Sequence, residues 1–334
     1  MPYWDIVTRS FRIAWDRKYL WLIALFSGEG GGTSFNYSQG TSRPPAGTVS
    51  GRGTVGGSTT IHGQVDYSHI ADQISAFIAS NAGLLAVLVL LSLVIVAGFF
   101  LLAAVCEGAT VRAAAEHDAE RPFGLGIAWR VGVSLMWTVV RFRLLLVAIG
   151  LPLFLLFVAF TAGILFAVVT SSAALVVPLL LAGLLLLVVG VPYLIYLFLL
   201  DRLGSRALVL EQLGARSSLV RAHRLLRTRL GRALLVWLVS IGVSIVLAIG
   251  AACVVAVVLI PLFLIGLALT AASSAAVVPL VILGVVLVLP LVLVVNGFIA
   301  AQGATYWTLA FRRLDLDYPP APAYAYAPPP PALS

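Results

Sequence analysis

Long uncharged runs of apolar residues are the main feature of the pattern along this chain. Residues 83–106, 144–200 and 233–311 contain no charged side chain. A helix needs about 20 apolar residues to cross a bilayer, because each residue adds about 1.5 Å along the helix axis. Small polar turns divide the second and third runs, so the pattern predicts five spans. These are residues 83–106, 144–169, 174–200, 233–269 and 276–301.

A sixth apolar segment, residues 19–28, is too short to cross the bilayer alone. It has the length of a signal-peptide core. However, Asp5 and Asp16 make the preceding segment acidic as well as basic, and the residues after it form a poor cleavage site. We therefore expect a short span that is extended by the helix before it.

The distribution of positive charge favours six crossings. If the N-terminus is cytoplasmic and all six segments cross, 19 of the 21 Lys and Arg residues lie inside, and only Arg43 and Arg52 lie outside. Cytoplasmic loops of membrane proteins carry an excess of Lys and Arg. All but one of the cations are Arg, which favours a GC-rich bacterial genome. The sequence thus predicts a multi-pass protein of the bacterial inner membrane with both termini cytoplasmic.

Three basic segments lead into spans on the predicted cytoplasmic side. Residues 4–16 and 216–232 are predicted to form amphipathic helices, whereas residues 123–143 have a less regular pattern. The predicted apolar stripe of the second helix comprises Leu219, Ala222, Leu226 and Leu230, and it excludes Leu225. Such helices bind anionic headgroups or a partner, or they simply anchor the topology, which is their more ordinary role. The candidate headgroup contacts are Arg9, Arg12, Arg221, Arg224, Arg227, Arg229 and Arg232.

Short segments recur in the same order in different parts of the chain. Residues 171–179 resemble residues 273–280, and residues 151–155 resemble residues 260–264. The same Arg spacing is found in Arg9, Arg12 and Arg17 and in Arg221, Arg224 and Arg229. This recurrence predicts three parallel repeats. Each repeat has a cytoplasmic amphipathic helix, a span, an outside turn and a second span.

Two polar segments flank or interrupt this single membrane domain, which covers residues 1–318. Residues 28–66 are rich in Gly, Ser and Thr and are predicted to be disordered outside the membrane. Residues 319–334 are Pro-rich and are predicted to form a disordered cytoplasmic tail. That tail is a candidate ligand for a protein partner, although a solvated tail explains it as well.

Polar groups are scarce within the predicted spans. No acidic, basic or His residue lies well inside one, whereas ion-coupled transporters usually carry such a group. Asn296 and Gln302, near the cytoplasmic end of the last span, are the candidate residues of a polar cavity. A transporter or a lipid-handling permease therefore remains the alternative function.

The charge composition and the absence of known catalytic and metal-binding motifs limit the candidate functions. Charged residues make up 10% of the chain, against about 25% in soluble domains. In a membrane protein, the net charge of +8 indicates anionic lipid rather than nucleic acid as a partner. Phosphate-loop, metal-spaced Cys/His and His-Glu-x-x-His motifs are absent, so we expect no catalysis, cofactor or metal. The acidic residues 116–120 are explained equally well by a cation site and by an exposed helix connection.

Two segments of the chain resemble the sequences of a known group of proteins. An exit helix ends in a Leu-Glu step at Glu211, and a basic Ser/Arg/Leu helix, residues 217–232, leads into the next span. This arrangement resembles the membrane domain found beside some glycerophosphoryl diester phosphodiesterases. The opening Ala-Trp-x-x-Lys-Tyr-Leu-Trp at residues 14–21, followed by a Gly-rich loop, is similar to the same proteins. The resemblance covers residues 1–313 and implies the architecture of related stand-alone bacterial membrane proteins of unknown function.

The catalytic domain of those phosphodiesterases is absent. Its hallmark begins with a His-Arg-Gly step, whereas here His223 and Arg224 are followed by Leu225. We therefore predict an all-α polytopic membrane protein of about six transmembrane helices in three two-span repeats. The predicted function is non-enzymatic scaffolding or modulation of the membrane or of a complex.

Overall fold

The computed structural model of the protein describes residues 4–28, 78–170, 176–272 and 277–315. These residues form helices and short connections, with no strand among them, so the all-α prediction is confirmed. The helices are α1 (Trp4–Asp16), α2 (Tyr19–Ser27), α3 (Ala82–Asp118), α4 (Leu125–Thr170), α5 (Val176–Glu211), α6 (Ala215–Ala272) and α7 (Val277–Leu314). The Pro-rich tail, and the Gly/Ser-rich segment apart from Gly28, lie outside the described residues.

Five of these helices, α3 to α7, are long and apolar enough to cross a membrane. Their most apolar windows have mean hydropathies between 2.5 and 3.1. The apolar side chains in these windows are largely exposed in the protein itself. That exposure suits a surface that contacts lipid rather than water. The chain is therefore a multi-pass, all-helical membrane protein.

The chain divides into two compact units, residues 1–34 with 101–334 and residues 35–100. In the second unit, the structure describes residues 78–100, which include the first part of α3. Nearly all of the large aliphatic and aromatic side chains in residues 78–100 are exposed. Every pocket and cluster considered below belongs to the first unit.

The short helix α2 follows α1 after a break at Arg17 and Lys18. It has nine residues, which span about 14 Å, and it ends where Gly28 adopts a φ of 69°. Glycine tolerates this left-handed conformation, which commonly terminates helices. The hydrocarbon core of a bilayer is about 30 Å thick, so α2 alone does not reach across it. A crossing by residues 19–28 stays a prediction.

The packed core lies where the long helices extend beyond their predicted spans. Its members concentrate in residues 104–117 of α3, 199–210 of α5 and 299–314 of α7. The last of these helices packs against α1, α2, α5 and α6. The ends that the sequence assigns to the cytoplasm therefore hold the bundle together, because the membrane-facing middles bury few side chains.

Two glycines allow helices of this core to approach closely. A Cβ atom added at Gly132 of α4 would lie 2.3 Å from the carbonyl oxygen of Val105 in α3. A Cβ added at Gly297 of α7 would lie 2.8 Å from the carbonyl oxygen of Trp21 in α2. Both separations are shorter than van der Waals contact, so these two crossings require a residue without a side chain.

Helix α6 is kinked at Arg229, where φ is −134° and ψ is 33°. The kink lies within the predicted amphipathic helix, four residues before the predicted span begins at residue 233. Ala222 and Leu226 are buried as predicted, but Leu225 is buried too and Leu230 is 48% exposed. The predictions for Leu225 and Leu230 were wrong, because the kink breaks the helical periodicity before Leu230 and the buried face is wider than a single stripe.

Candidate functional site

A group of mostly buried charges lies at the predicted cytoplasmic boundary of the bilayer. Arg143 donates from Nε and Nη2 to Oε2 of Glu107 at 2.9 and 2.6 Å. Its Nη2 also donates to the carbonyl oxygen of Ser27 at 3.2 Å. Asp201 interacts electrostatically with both Glu107 and Arg143. A buried carboxylate requires such partners, so this group joins the end of α2 to the interior of α3 and α4.

Asp118, at the end of α3, connects α1 to α7. Its Oδ1 lies 2.7 Å from Nε of Arg9, and its carbonyl oxygen accepts a hydrogen bond from Nη2 of Arg9 at 2.7 Å. Nη1 of Arg312 contacts the second carboxylate oxygen. The described beginning and end of the chain therefore lie on the same side of the protein.

A corresponding ion pair connects α6 to the end of α7. Arg221 pairs with Asp315, and its Nε lies 3.4 Å from Oε1 of Glu211. The predicted repeat makes Arg221 equivalent to Arg9. Each of these two Arg residues pairs with an Asp at the end of the second long helix of its own predicted unit.

A groove of about 1130 Å³ lies beside the first turns of α6, next to α4 and the end of α5. Leu144 and Leu145, the first two residues of a predicted span, belong to its apolar wall. The exposed guanidinium groups of Arg141, Arg216 and Arg224 line its polar side. The groove therefore combines an apolar surface with positive charge at the predicted membrane boundary.

The N-terminus of α6 also borders this groove. Gly214 and Ala215 line it, and the first backbone hydrogen bond of the turn runs from the Ser218 amide to the Gly214 carbonyl oxygen at 2.9 Å. The amide groups before Ser218 lack an acceptor within the helix. Together with the helix dipole, they favour a bound phosphate or carboxylate.

The seven candidate headgroup contacts fall into two groups. Arg9 and Arg221 are ion-paired as described, and Nη1 of Arg229 donates to the carbonyl oxygen of Leu314 at 2.7 Å. These three side chains hold helices together. The exposed candidates are Arg12, Arg224, Arg227 and Arg232. Of these four, only Arg224 lines the groove.

The list of candidate headgroup contacts left out two Arg residues of the groove, Arg141 and Arg216, although both lie in predicted basic segments. Arg141 lies three residues before a predicted span and stacks on Trp137, with 5.8 Å between its Cζ and the ring centroid. A cation beside a Trp at a span end is typical of the membrane interface. That pattern was the available signal for Arg141.

A second cavity, of about 430 Å³, lies between α5, α6 and α7. Arg202, Ser240, Ser244 and Gln302 contribute polar groups to it, and the rest of the lining is mainly aromatic and aliphatic side chains of α5, α6 and α7. Gln302 also donates from Nε2 to Oγ of Ser10 at 3.2 Å. Asn296 is half-buried and does not line the cavity. The structure therefore brings Gln302, but not Asn296, to the candidate polar cavity.

The acidic segment at the end of α3 does not converge on one point. Glu116 pairs with two Arg side chains, Asp118 pairs with Arg9 and Arg312, and His117 shares a hydrogen bond with Tyr19. Among the described residues, no group of three His, Cys, Asp or Glu side chains is arranged to hold a metal ion. Glu120 is exposed, as the helix-connection interpretation expects, but Glu116 and His117 are buried.

Comparison with known proteins gives one match. A family model matches residues 7–317, and the chain belongs to that family, DUF7544, which is described as a family of unknown function. No curated protein and no solved structure matches the chain. The match does not link the chain to the membrane domain of glycerophosphoryl diester phosphodiesterases, so that resemblance stays a prediction.

Proposed function

We propose that this member of DUF7544 is a non-enzymatic membrane protein that binds anionic phospholipid at the cytoplasmic face of the bacterial inner membrane. Through its basic cytoplasmic helices, it scaffolds or modulates the membrane or a complex within it. Both termini lie in the cytoplasm in this proposal, and the long helices form three repeats. The equivalent pairs of Arg9 with Asp118 and Arg221 with Asp315 support the repeat.

The observation that carries the proposal is the composition of the groove beside α6. An anionic phospholipid presents a phosphate next to acyl chains. The groove offers exposed guanidinium groups and a helix N-terminus next to Leu144 and Leu145. Guanidinium groups bind phosphate oxygens through paired hydrogen bonds. A cation close to an anionic membrane surface contributes about 1 kcal/mol to the association.

Retained lipid on the purified protein tests this proposal. The wild type and the Arg216→Gln/Arg224→Gln variant are extracted from membranes that contain phosphatidylglycerol, and bound lipid is counted by native mass spectrometry. Loss of two cations removes about 2 kcal/mol, or roughly 30-fold in affinity. We therefore expect the variant to lose most of its bound phosphatidylglycerol.

A matched control distinguishes the groove from general surface charge. Arg227→Gln/Arg232→Gln removes two exposed cations of the same helix that do not line the groove. This variant is expected to retain lipid like the wild type. Equal retention by both variants, or equal loss from both, would count against a defined site in the groove.

The cavity between α5, α6 and α7 favours a second candidate, a lipid-handling permease or transporter. It is amphipathic, as passage of a lipid or solute requires, and Ser244 lies in its wall. Under this candidate, Ser244→Phe blocks transbilayer movement of fluorescent phosphatidylglycerol in proteoliposomes. Val246→Phe, at a position 70% exposed on the same helix, is the control and leaves the rate unchanged. Equal rates for both variants and for protein-free liposomes would reject this candidate.

A further inference from the structure

A polar pocket of about 670 Å³ lies beside α1, at the ends of α3 and α7. Helix α1 lines it with Asp5, Arg9, Arg12 and Asp16, which recur every three or four residues and so share one face. Other side chains of α1, such as Val7, are buried, and α1 packs against α7. The side chains that line the pocket are therefore presented by a helix that is fixed in the bundle.

Arg12 and Arg17 supply positive charge to this pocket that no close contact neutralises. Arg9, by contrast, is held by Asp118. Among the described residues, no side-chain ion pair or hydrogen bond joins the guanidinium group of Arg12 or Arg17 to a partner. Two guanidinium groups that line one polar pocket can each donate paired N–H bonds to a phosphate group.

Carboxylates line the same pocket, which restricts the ligand further. Asp5, Asp16 and Glu120 lie on its wall and form no ion pair with a described residue. A carboxylate repels a bare anion but accepts hydrogen bonds from hydroxyl groups. The combination therefore suits a molecule that carries both a phosphate and several hydroxyl groups, and it disfavours inorganic phosphate alone.

The depth of the pocket separates it from the lipid groove. His117 lines the pocket and lies ten residues beyond Glu107 on α3, about 15 Å along the helix axis. Glu107 marks the predicted end of a span, where lipid headgroups begin. The pocket therefore lies on the aqueous side of the headgroups, within reach of soluble molecules.

From these observations, we propose that the pocket binds a soluble phosphate ester of a hydroxyl-rich compound, such as a sugar phosphate or a mononucleotide. Arg12 and Arg17 hold the phosphate, and Asp5, Asp16 and Glu120 accept hydrogen bonds from the hydroxyl groups. The volume lies within the usual range of about 300–1,000 Å³ for small-molecule sites. This site is independent of the proposed lipid groove.

Isothermal titration calorimetry on the full chain in phosphatidylcholine nanodiscs tests the proposal, with ribose 5-phosphate, AMP and inorganic phosphate as probes. We expect at least one of the two esters to bind more tightly than inorganic phosphate. Arg12→Gln/Arg17→Gln should weaken that binding at least tenfold. Arg227→Gln/Arg232→Gln removes the same charge outside both the pocket and the groove and should leave it unchanged. Asp16→Asn should weaken binding of the ester but not of inorganic phosphate.

Three results would overturn this inference. The first is that neither ester binds at millimolar concentration. The second is that the Arg12→Gln/Arg17→Gln variant binds the ester like its control. The third is that phosphatidylglycerol in the nanodisc, and not the soluble esters, binds in a manner sensitive to Arg12 and Arg17, which would assign the pocket to a headgroup. Equal melting temperatures of the two double variants establish that each comparison uses folded protein.

Discussion

The guanidinium of Arg9 lies 2.7 Å from the carboxylate of Asp118, and this ion pair joins the first helix to the end of α3. Arg221 pairs in the same way with Asp315 at the end of α7. Because the predicted repeat aligns Arg9 with Arg221, equivalent ion pairs occur in two separate parts of the chain. In each, an Arg of the amphipathic helix contacts an Asp at the end of the helix that carries the second predicted span of its unit.

We predict that Asp118→Asn weakens the attachment of α1. The substitution keeps the size of the side chain and removes the charge that Arg9 and Arg312 share. Because Arg9 is 45% exposed, solvent screens part of the loss, and we expect a cost of about 1–2 kcal/mol. Thermal unfolding in detergent measures the effect. Glu120→Gln, at an exposed position, is the control, and an equal melting temperature for the two variants would contradict the prediction.

Where α3 and α4 cross at Gly132, a single added methyl group should destabilise the fold. Gly132→Ala places a Cβ atom 2.3 Å from the Val105 carbonyl oxygen, so α3 and α4 must move apart. Overpacking of this kind costs about 1–3 kcal/mol. Gly126→Ala, on the same helix with open space around the added atom, should be neutral or stabilising. Equal thermal stability of the two variants would show that the crossing tolerates a side chain.

His117 predicts a dependence of stability on pH. Burial lowers the pKa of His117 below its ordinary 6.5, and the charge of Arg17 lowers it further, while Glu116 acts in the opposite direction. A group whose pKa is lower in the folded state stabilises the fold above the unfolded pKa. That contribution is lost as the pH falls from 6.5 through the folded pKa.

Unfolding experiments at about pH 5 and about pH 7.5 measure this dependence. The wild type should lose more stability at the lower pH than His117→Asn, which cannot take up a proton there. Tyr19, the hydrogen-bond partner of His117, is unchanged in both proteins, so it does not cause a difference between their pH profiles. If both proteins lost the same stability between these pH values, His117 would not be the cause of the pH dependence.

Ion pairs connect α1 and the first part of α6 to the end of α7, so both helices should be labelled from one side of the membrane. Trp4 and Arg227 are exposed, and both helices that carry them contact α7. In a background without Cys106 and Cys253, Trp4→Cys and Arg227→Cys should react with an impermeant maleimide in inverted vesicles and not in intact cells. Reaction of either position in intact cells would overturn the cytoplasmic assignment.

Membrane spans were predictable from sequence because a bilayer imposes a simple rule. Long helices without charge satisfy this rule, and each of α3 to α7 contains one of the five long predicted spans, apart from residues 174, 175 and 276, which lie outside the described residues. The short segment 19–28 was harder, since α2 ends at Gly28 and Ser27 contacts Arg143. Ten apolar residues fit a short span and a helix within the packed core equally well.

The partners of individual polar residues were not predictable. Helical periodicity shows which face carries Arg229, but its acceptor is the Leu314 carbonyl oxygen, which no local pattern indicates. Gln302 likewise contacts Ser10, 292 residues away in sequence. The groove combines residues of α4, α5 and α6, and only Arg221 and Arg224 were candidates beforehand. Tertiary packing selects these contacts, so a single helix does not encode them.

A structure of the full chain in nanodiscs with native lipid tests the central claim most directly. The account predicts phospholipid density in the groove, with its phosphate beside Arg216 and Arg224 and its acyl chains along Leu144 and Leu145. An empty groove, with lipid density confined to the outer surface of the spans, would contradict it.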